Sequence, residues 1–205
     1  MSLVFYYAPM TSAGRIHWAL EELGIPYEKK KIDLAAGEQK KPEYLALNPN
    51  GKVPLIVDDG VPIFESLAIL IYLGERYGAD KGLFPTSMLE RAEALKWLAW
   101  GSVTLGETAS RMFRNTSDRF PAEERNAAAG EKAKKELGDL LALLDRELSS
   151  KQYLVGTKFT FADLSLAGFS QFLGMIGVDA SSYKNLQAWL GRCTSRPALG
   201  KAMQG

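Results

Sequence analysis

Glu65 and Ser66 stand where the chain passes from an extended pattern to a helical one, and chemistry is expected first at that junction. Upstream, residues 53–57 form a short apolar run that contains Pro54. Asp58, Asp59 and Gly60 make a turn, and Val61, Pro62 and Ile63 resume the extended pattern. Two strands joined by a tight Asp-Gly connection follow from that order. Downstream, Leu67, Ile69, Leu70 and Leu73 recur at helical spacing. A hairpin therefore feeds straight into a helix N-terminus, whose unpaired N–H groups and positive dipole end suit a bound carboxylate. A second set of reactive groups, Tyr6, Thr11 and Ser12, lies around the break between the first strand and the first helix.

Composition narrows the chemistry. The chain has 205 residues, 46% hydrophobic, with a net charge of +1. That is enough for one large domain or two modest ones with a real core. The charge balance argues against nucleic acid as a partner. Cys193 and His17 are each alone of their kind, which excludes disulfides, thiolate zinc sites, CxxC redox chemistry and a histidine-rich metal site. A reducing, cytoplasmic setting is expected. No apolar run reaches membrane-spanning length, and the N-terminus lacks the order of a signal peptide.

The positioning elements follow in sequence. Residues 3–7 read as a buried strand. Ile16, Ala19, Leu20 and Leu23 give a helix over 13–23, with Gly24 at its C-cap and Pro26 beyond. A second strand over 27–32 completes a βαβ unit with parallel strands. Lys29, Lys30 and Lys31 within it read as a solvated edge. Residues 37–50 are loop-like, with one helical turn near 42–47. Residues 1–77 thus form an α/β domain, 78–87 a Gly- and Pro-bearing linker, and 88–205 an all-helical domain. In that domain a long helix is expected over 89–113. Pro121 is placed to open another helix running to Leu148, with Glu123 and Glu124 in its first turn. Thr160 and Asp163 have capping-box spacing, with Phe159 and Leu164 set for a hydrophobic staple. A further helix covers 184–193.

Four segments in this order, ALEELGIPYE at 19–28, NPNGKVP at 48–54, FESLAI at 64–69 and FTFAD at 159–163, make the sequence resemble the cytosolic glutathione transferases of bacterial type, with a serine- or cysteine-type loop. The resemblance spans nearly the whole chain. It implies a thioredoxin-like glutathione-binding domain followed by an all-α domain that contributes an electrophile pocket. It implies a cis Val53–Pro54 bond, with the Val53 backbone pairing the cysteinyl part of the tripeptide like an added strand. Ser66 and the helix N-terminus would hold the γ-glutamyl carboxylate, and Glu65 its amine. Lys40 and Lys52 match positions that approach the glycyl or a nearby carboxylate. Glutathione is the co-substrate, with no bound cofactor or metal, and a twofold homodimer is expected.

The thiolate is the nucleophile. Lowering a thiol pKa from ~8.5 to ~6.5 takes roughly 2.7 kcal/mol of preferential thiolate stabilisation. A hydroxyl hydrogen bond to an anion supplies about 1.5–3 kcal/mol and a helix N-terminus about 0.3–1, so no general base is needed. The activating hydroxyl is sought in the loop after the first strand. Ser12 falls where the cysteine-type enzymes carry cysteine. Counting back from Arg15 as in the serine-type enzymes puts Met10 at the hydroxyl position with Thr11 beside it, and Tyr6 lies close to the position used by the tyrosine-type enzymes. Ser12 is favoured, then Thr11, then Tyr6. Ser12 and Thr11 also read as helix caps and Tyr6 as core. Met10, Trp100, Arg111 and Met112 are candidates for the electrophile pocket. The expected activity is conjugation of glutathione to hydrophobic electrophiles. The alternatives are peroxide reduction, isomerisation or dehalogenation at the same site, or glutathione binding without catalysis.

Overall fold

A computed structural model describes residues 2–204. The chain divides into two units, one comprising the chain to Phe84 together with the segment from Arg196 onward, the other running from Pro85 to Ser195.

The first unit is built on four strands, β1 (Leu3–Tyr7), β2 (Glu28–Lys31), β3 (Leu55–Asp58) and β4 (Val61–Phe64), in the order β2-β1-β3-β4. β2 runs parallel to β1, and β3 and β4 are antiparallel, with Tyr6 opposite Leu55 and Leu55 opposite Phe64. The helix α1 (Ala13–Leu23) supplies the crossover between the parallel pair. It stops where the sequence predicts, because Gly24 takes the left-handed conformation at φ 57° and donates its N–H to the Leu20 carbonyl. Edge position explains the three lysines of β2, all of them exposed. The β3–β4 turn places both Asp59 and Gly60 at positive φ, the geometry of a two-residue hairpin loop.

Residues 37–50 carry one 3-10 turn, Glu38–Lys40, and a single helical turn, α2 (Pro42–Leu45). The helix α3 (Ser66–Leu73) follows β4 directly and runs into a π-type turn, Gly74–Gly78. The expected linker at 78–87 divides differently. Leu83 and Phe84 are buried in the first unit, and Phe84 lies so close to Gly74 that a Cβ there would sit 2.3 Å from the ring. Two buried apolar side chains, one of them docked on a glycine, belong to the core rather than to a tether. The first unit closes with α9 (Pro197–Gln204), which packs on α1. Arg196 ahead of it grips the Glu22 carboxylate, whose side chain is 6% exposed, with two hydrogen bonds of 2.6 Å.

The second unit is helical. α4 (Met88–Ala99), a π-type segment Trp100–Leu105 and α5 (Gly106–Thr116) form a near-continuous helical run, followed by α6 (Ala127–Leu148), α7 (Phe161–Met175) and α8 (Lys184–Thr194). Pro121 does not open α6. It precedes a single 3-10 turn, Ala122–Glu124, and α6 starts six residues later, because Asn126 caps it by accepting the Ala129 N–H at 3.0 Å. The capping box at the head of α7 is present, with Thr160 donating from N–H and hydroxyl to Asp163.

Candidate functional site

The turn of Asn48–Pro54 is held from within. Asn48, 2% exposed, donates its side-chain amide to the Lys52 carbonyl at 2.7 Å and accepts the Asn50 N–H at 3.1 Å. The Tyr44 hydroxyl from α2 donates to the same Lys52 carbonyl at 2.7 Å. Gly51 is left-handed at φ 57°, and a Cβ there would meet the Gln39 carbonyl at 2.8 Å. Only glycine fits both requirements. This frame delivers Val53 and a cis Val53–Pro54 peptide bond to the start of β3. Val53 is half-buried, and its backbone N–H and C=O have no hydrogen-bond partner among the described residues. Lys40 and Lys52 are exposed beside the turn, with Lys40 Nζ 3.4 Å from the Asn50 carbonyl.

The next bend is strained. Glu65 holds φ 69° and ψ 117° in front of α3, with its side chain exposed and no side-chain cap on the helix. Among non-glycine residues, Met10, Asp59 and Glu65 alone take positive φ within the described chain. Asp59 belongs to the hairpin turn. Met10 and Glu65 stand at the heads of α1 and α3, and such strain concentrates at functional sites. The first intrahelical bond of α3 runs from Ile69 N–H to the Glu65 carbonyl, so the N–H groups ahead of it have no acceptor within the helix.

Ser66 sits at that open end, and its Oγ accepts from Arg15 Nη2 at 3.2 Å. Arg15 comes from the first turn of α1, and burial pushes its guanidinium down to about 10, so it stays cationic at neutral pH. A hydroxyl, a guanidinium, unpaired helix N–H groups and, one residue away, an exposed carboxylate make an arrangement complementary to a free amino-acid head. Sequence reasoning used Arg15 for alignment and missed it as part of this group. The available signal was its position, since a cation in the first turn of a helix opposes the dipole.

The three hydroxyls have different surroundings. Thr11 Oγ1 donates to the Ala8 carbonyl at 2.8 Å and accepts the Ala13 N–H at 3.2 Å, so its proton is committed inside the loop. Ser12, exposed at the head of α1, makes no cap bond to the helix. Tyr6 packs edge-on against Tyr44 at 5.9 Å in the cluster of Ile32, Tyr44 and Leu55, to which Val53 also belongs. Of the residues expected to line an electrophile pocket, Met10 is 80% exposed in the first unit and the other three lie in the second. Trp100 packs edge-on against Trp97 at 5.4 Å. Met112 is buried in the helical interior, and Arg111 is ion-paired with Glu107 and Glu136.

Residues 1–75 match the family model for the glutathione S-transferase N-terminal domain and residues 98–197 that for the C-terminal domain. The chain belongs to the glutathione S-transferase family. It is 38% identical over 195 residues to glutathione S-transferase GstB of Escherichia coli, covering 94% of this chain and 93% of the relative. It is 32% identical to the disulfide-bond oxidoreductase YfcG of the same organism, over 97% of this chain and 93% of that one. Among solved structures, a glutathione transferase homolog from Lodderomyces elongisporus with two GSH per subunit superposes with a TM-score of 0.89 at 26% identity, covering 100% of this chain and 98% of the other. The fold is thus that of the glutathione transferases, a thioredoxin-like sheet domain followed by helices, as the sequence segments imply. Among the described residues no helix is long and apolar enough to cross a membrane.

Proposed function

We propose that the chain binds glutathione along Val53 and at the head of α3, ionises its thiol, and transfers the thiolate to a hydrophobic electrophile. The observation that carries this reading is the Arg15–Ser66 contact at the open, strained end of α3. In it the γ-glutamyl carboxylate takes the Ser66 hydroxyl, the helix N–H groups and Arg15, while Glu65 takes the amine. The Val53 N–H and C=O receive the cysteinyl backbone as an added strand, which directs the thiol toward the head of α1. Lys40 and Lys52 face the glycyl end. Ser12 is the thiol activator, because Thr11 has spent its proton on the Ala8 carbonyl and Tyr6 is packed against Tyr44. The hydroxyl and the α1 N-terminus act together on the thiolate. The protein works as a twofold dimer.

A second reading is thiol–disulfide exchange carried by glutathione itself. The relative YfcG and the two GSH per subunit of the L. elongisporus homolog favour it. Cys193 is fully buried, so any exchanging thiol would come from the ligand.

Thiolate absorbance of bound glutathione, titrated against pH, tests the activator. Ser12→Ala is expected to raise the bound-thiol pKa by about one to two, a free-energy loss of roughly 1.5–3 kcal/mol, whereas Thr11→Ala and Tyr6→Phe shift it little. Loss of the thiolate in Tyr6→Phe alone would overturn the assignment. Turnover of chlorodinitrobenzene against that of a dialkyl disulfide separates the two reactions.

A further inference from the structure

The second unit contains a cavity of about 320 Å³ among α6, α7 and α8. Its floor is apolar and buried, formed by Leu144, Leu166, Leu173, Leu186 and Trp189. Its rim is exposed and polar, carrying Gly174, Asp179, Ser181 and Gln187. None of the residues of the glutathione site proposed above lines it.

The walls are pinned by directional bonds. Trp189 Nε1 donates to Asp163 Oδ1 at 2.8 Å, tying α8 to α7. Asp145 of α6 accepts the Leu186 N–H at 2.9 Å and the Asn185 amide at 3.1 Å, at the head of α8. The Tyr183 hydroxyl donates to the Gly138 carbonyl at 3.1 Å. Helices fastened in this way resist collapsing on a void. A preformed apolar space of this size is able to take up an apolar molecule in place of the missing packing. The rim polar groups are largely satisfied among themselves, with Gln187 donating to the Ala180 carbonyl at 3.0 Å and Ser181 N–H to Asp179 at 2.9 Å. Those Ser181 bonds hold the Asp179 carboxyl below the usual carboxylate range, so it is an anion at neutral pH. Among the described residues it is the one ionisable side chain lining the cavity.

We propose that this cavity is a second ligand site, separate from the glutathione site, for small cationic amphiphiles: an alkyl or aryl body in the leucine floor and an ammonium head beside Asp179.

Calorimetric titration of the full-length protein with octylammonium, octanol and octanoate tests the site, with S-hexylglutathione present throughout to occupy the proposed thiol site. Octylammonium is expected to bind about two- to fivefold more tightly than octanol, the range of an exposed ion pair, and octanoate more weakly than either. Gly174→Leu places a side chain where a Cβ meets no atom within 4 Å. It is expected to weaken octylammonium at least tenfold while favouring the helix by removing a glycine. Asp179→Asn keeps the shape and is expected to erase the preference for octylammonium over octanol. The Trp189 indole N–H resonance is expected to shift on binding. Undiminished octylammonium affinity in folded Gly174→Leu, octanoate binding as tight as octylammonium, or no heat and no shift at Trp189 with any of the three overturns the proposal.

Discussion

Arg15 and Ser66 lie 51 residues apart, yet their side chains meet at 3.2 Å. Charge-assisted hydrogen bonds to a carboxylate contribute about 1.5–3 kcal/mol. Arg15→Met is therefore expected to weaken glutathione about 10- to 100-fold in a calorimetric titration. Arg15→Lys should fall between, since an ammonium keeps the charge but loses the planar fork. Neither change should move the pKa of the bound thiol, because in the proposed binding mode the thiol is addressed at the head of α1 and the carboxylate at the head of α3. Equal affinity in Arg15→Met and the parent would remove Arg15 from the site. At this scale the sequence was informative about residue types and poor about partners. Glu65 and Ser66 announce themselves by standing between an extended and a helical pattern. The contact between Ser66 and Arg15 depends on how α1 and α3 pack, which no local period encodes. The spent proton of Thr11 is equally unreadable, because it rests on a turn that brings Ala8 within 2.8 Å.

Elements were more legible where their period and their caps agree. α1 is capped by Gly24 and α7 by Thr160 as the sequence indicates, because a left-handed glycine and a capping box are local devices. The start of α6 was misread for the converse reason. Pro121 with two glutamates looks like a first turn, but Asn126 supplies the cap, and its own N–H is held by the Asn115 side chain at 2.9 Å, a contact formed only on folding. Asp163 shows how much one cap carries. It is fully buried and accepts from Leu154 N–H, Thr160 N–H, the Thr160 hydroxyl and Trp189 Nε1. Burial pushes its carboxyl up and those donors pull it down. Asp163→Ala strands three buried N–H donors, each costing about 1–3 kcal/mol when left without an acceptor. A loss of about 3–5 kcal/mol is expected in urea unfolding followed by tryptophan fluorescence. A loss below about 1 kcal/mol would mean that the cap is replaceable.

At the scale of the whole chain, the order of domains was readable and the path of its end was not. The loss of strand signals after Met88 separates the sheet unit from the helical one, but α9 returns to α1, where Arg196 meets Glu22 174 residues earlier in sequence. That return also encloses His17, the one histidine of the chain. Its ring lies 6% exposed among Phe5, Tyr7 and Tyr27, with Glu21 3.8 Å from Nε2. Burial, followed by the charge of Lys29, holds its pKa below the ordinary value of 6.5, against smaller upward pulls from Glu21 and Ala202. The unfolded chain therefore binds this proton at higher pH than the folded one. Stability from His17 is complete above about pH 6.5 and falls as pH drops through that value toward the depressed folded pKa, by at most about 1.4 kcal/mol per pH unit. Urea unfolding between pH 7.5 and 5.5 should show this slope in the parent protein. In His17→Phe, which keeps an aromatic ring in place but cannot titrate, the curve should be flatter by the same amount. Identical slopes in the two proteins would show that the proton is taken up elsewhere and that the packing of α9 on α1 is insensitive to the charge of His17.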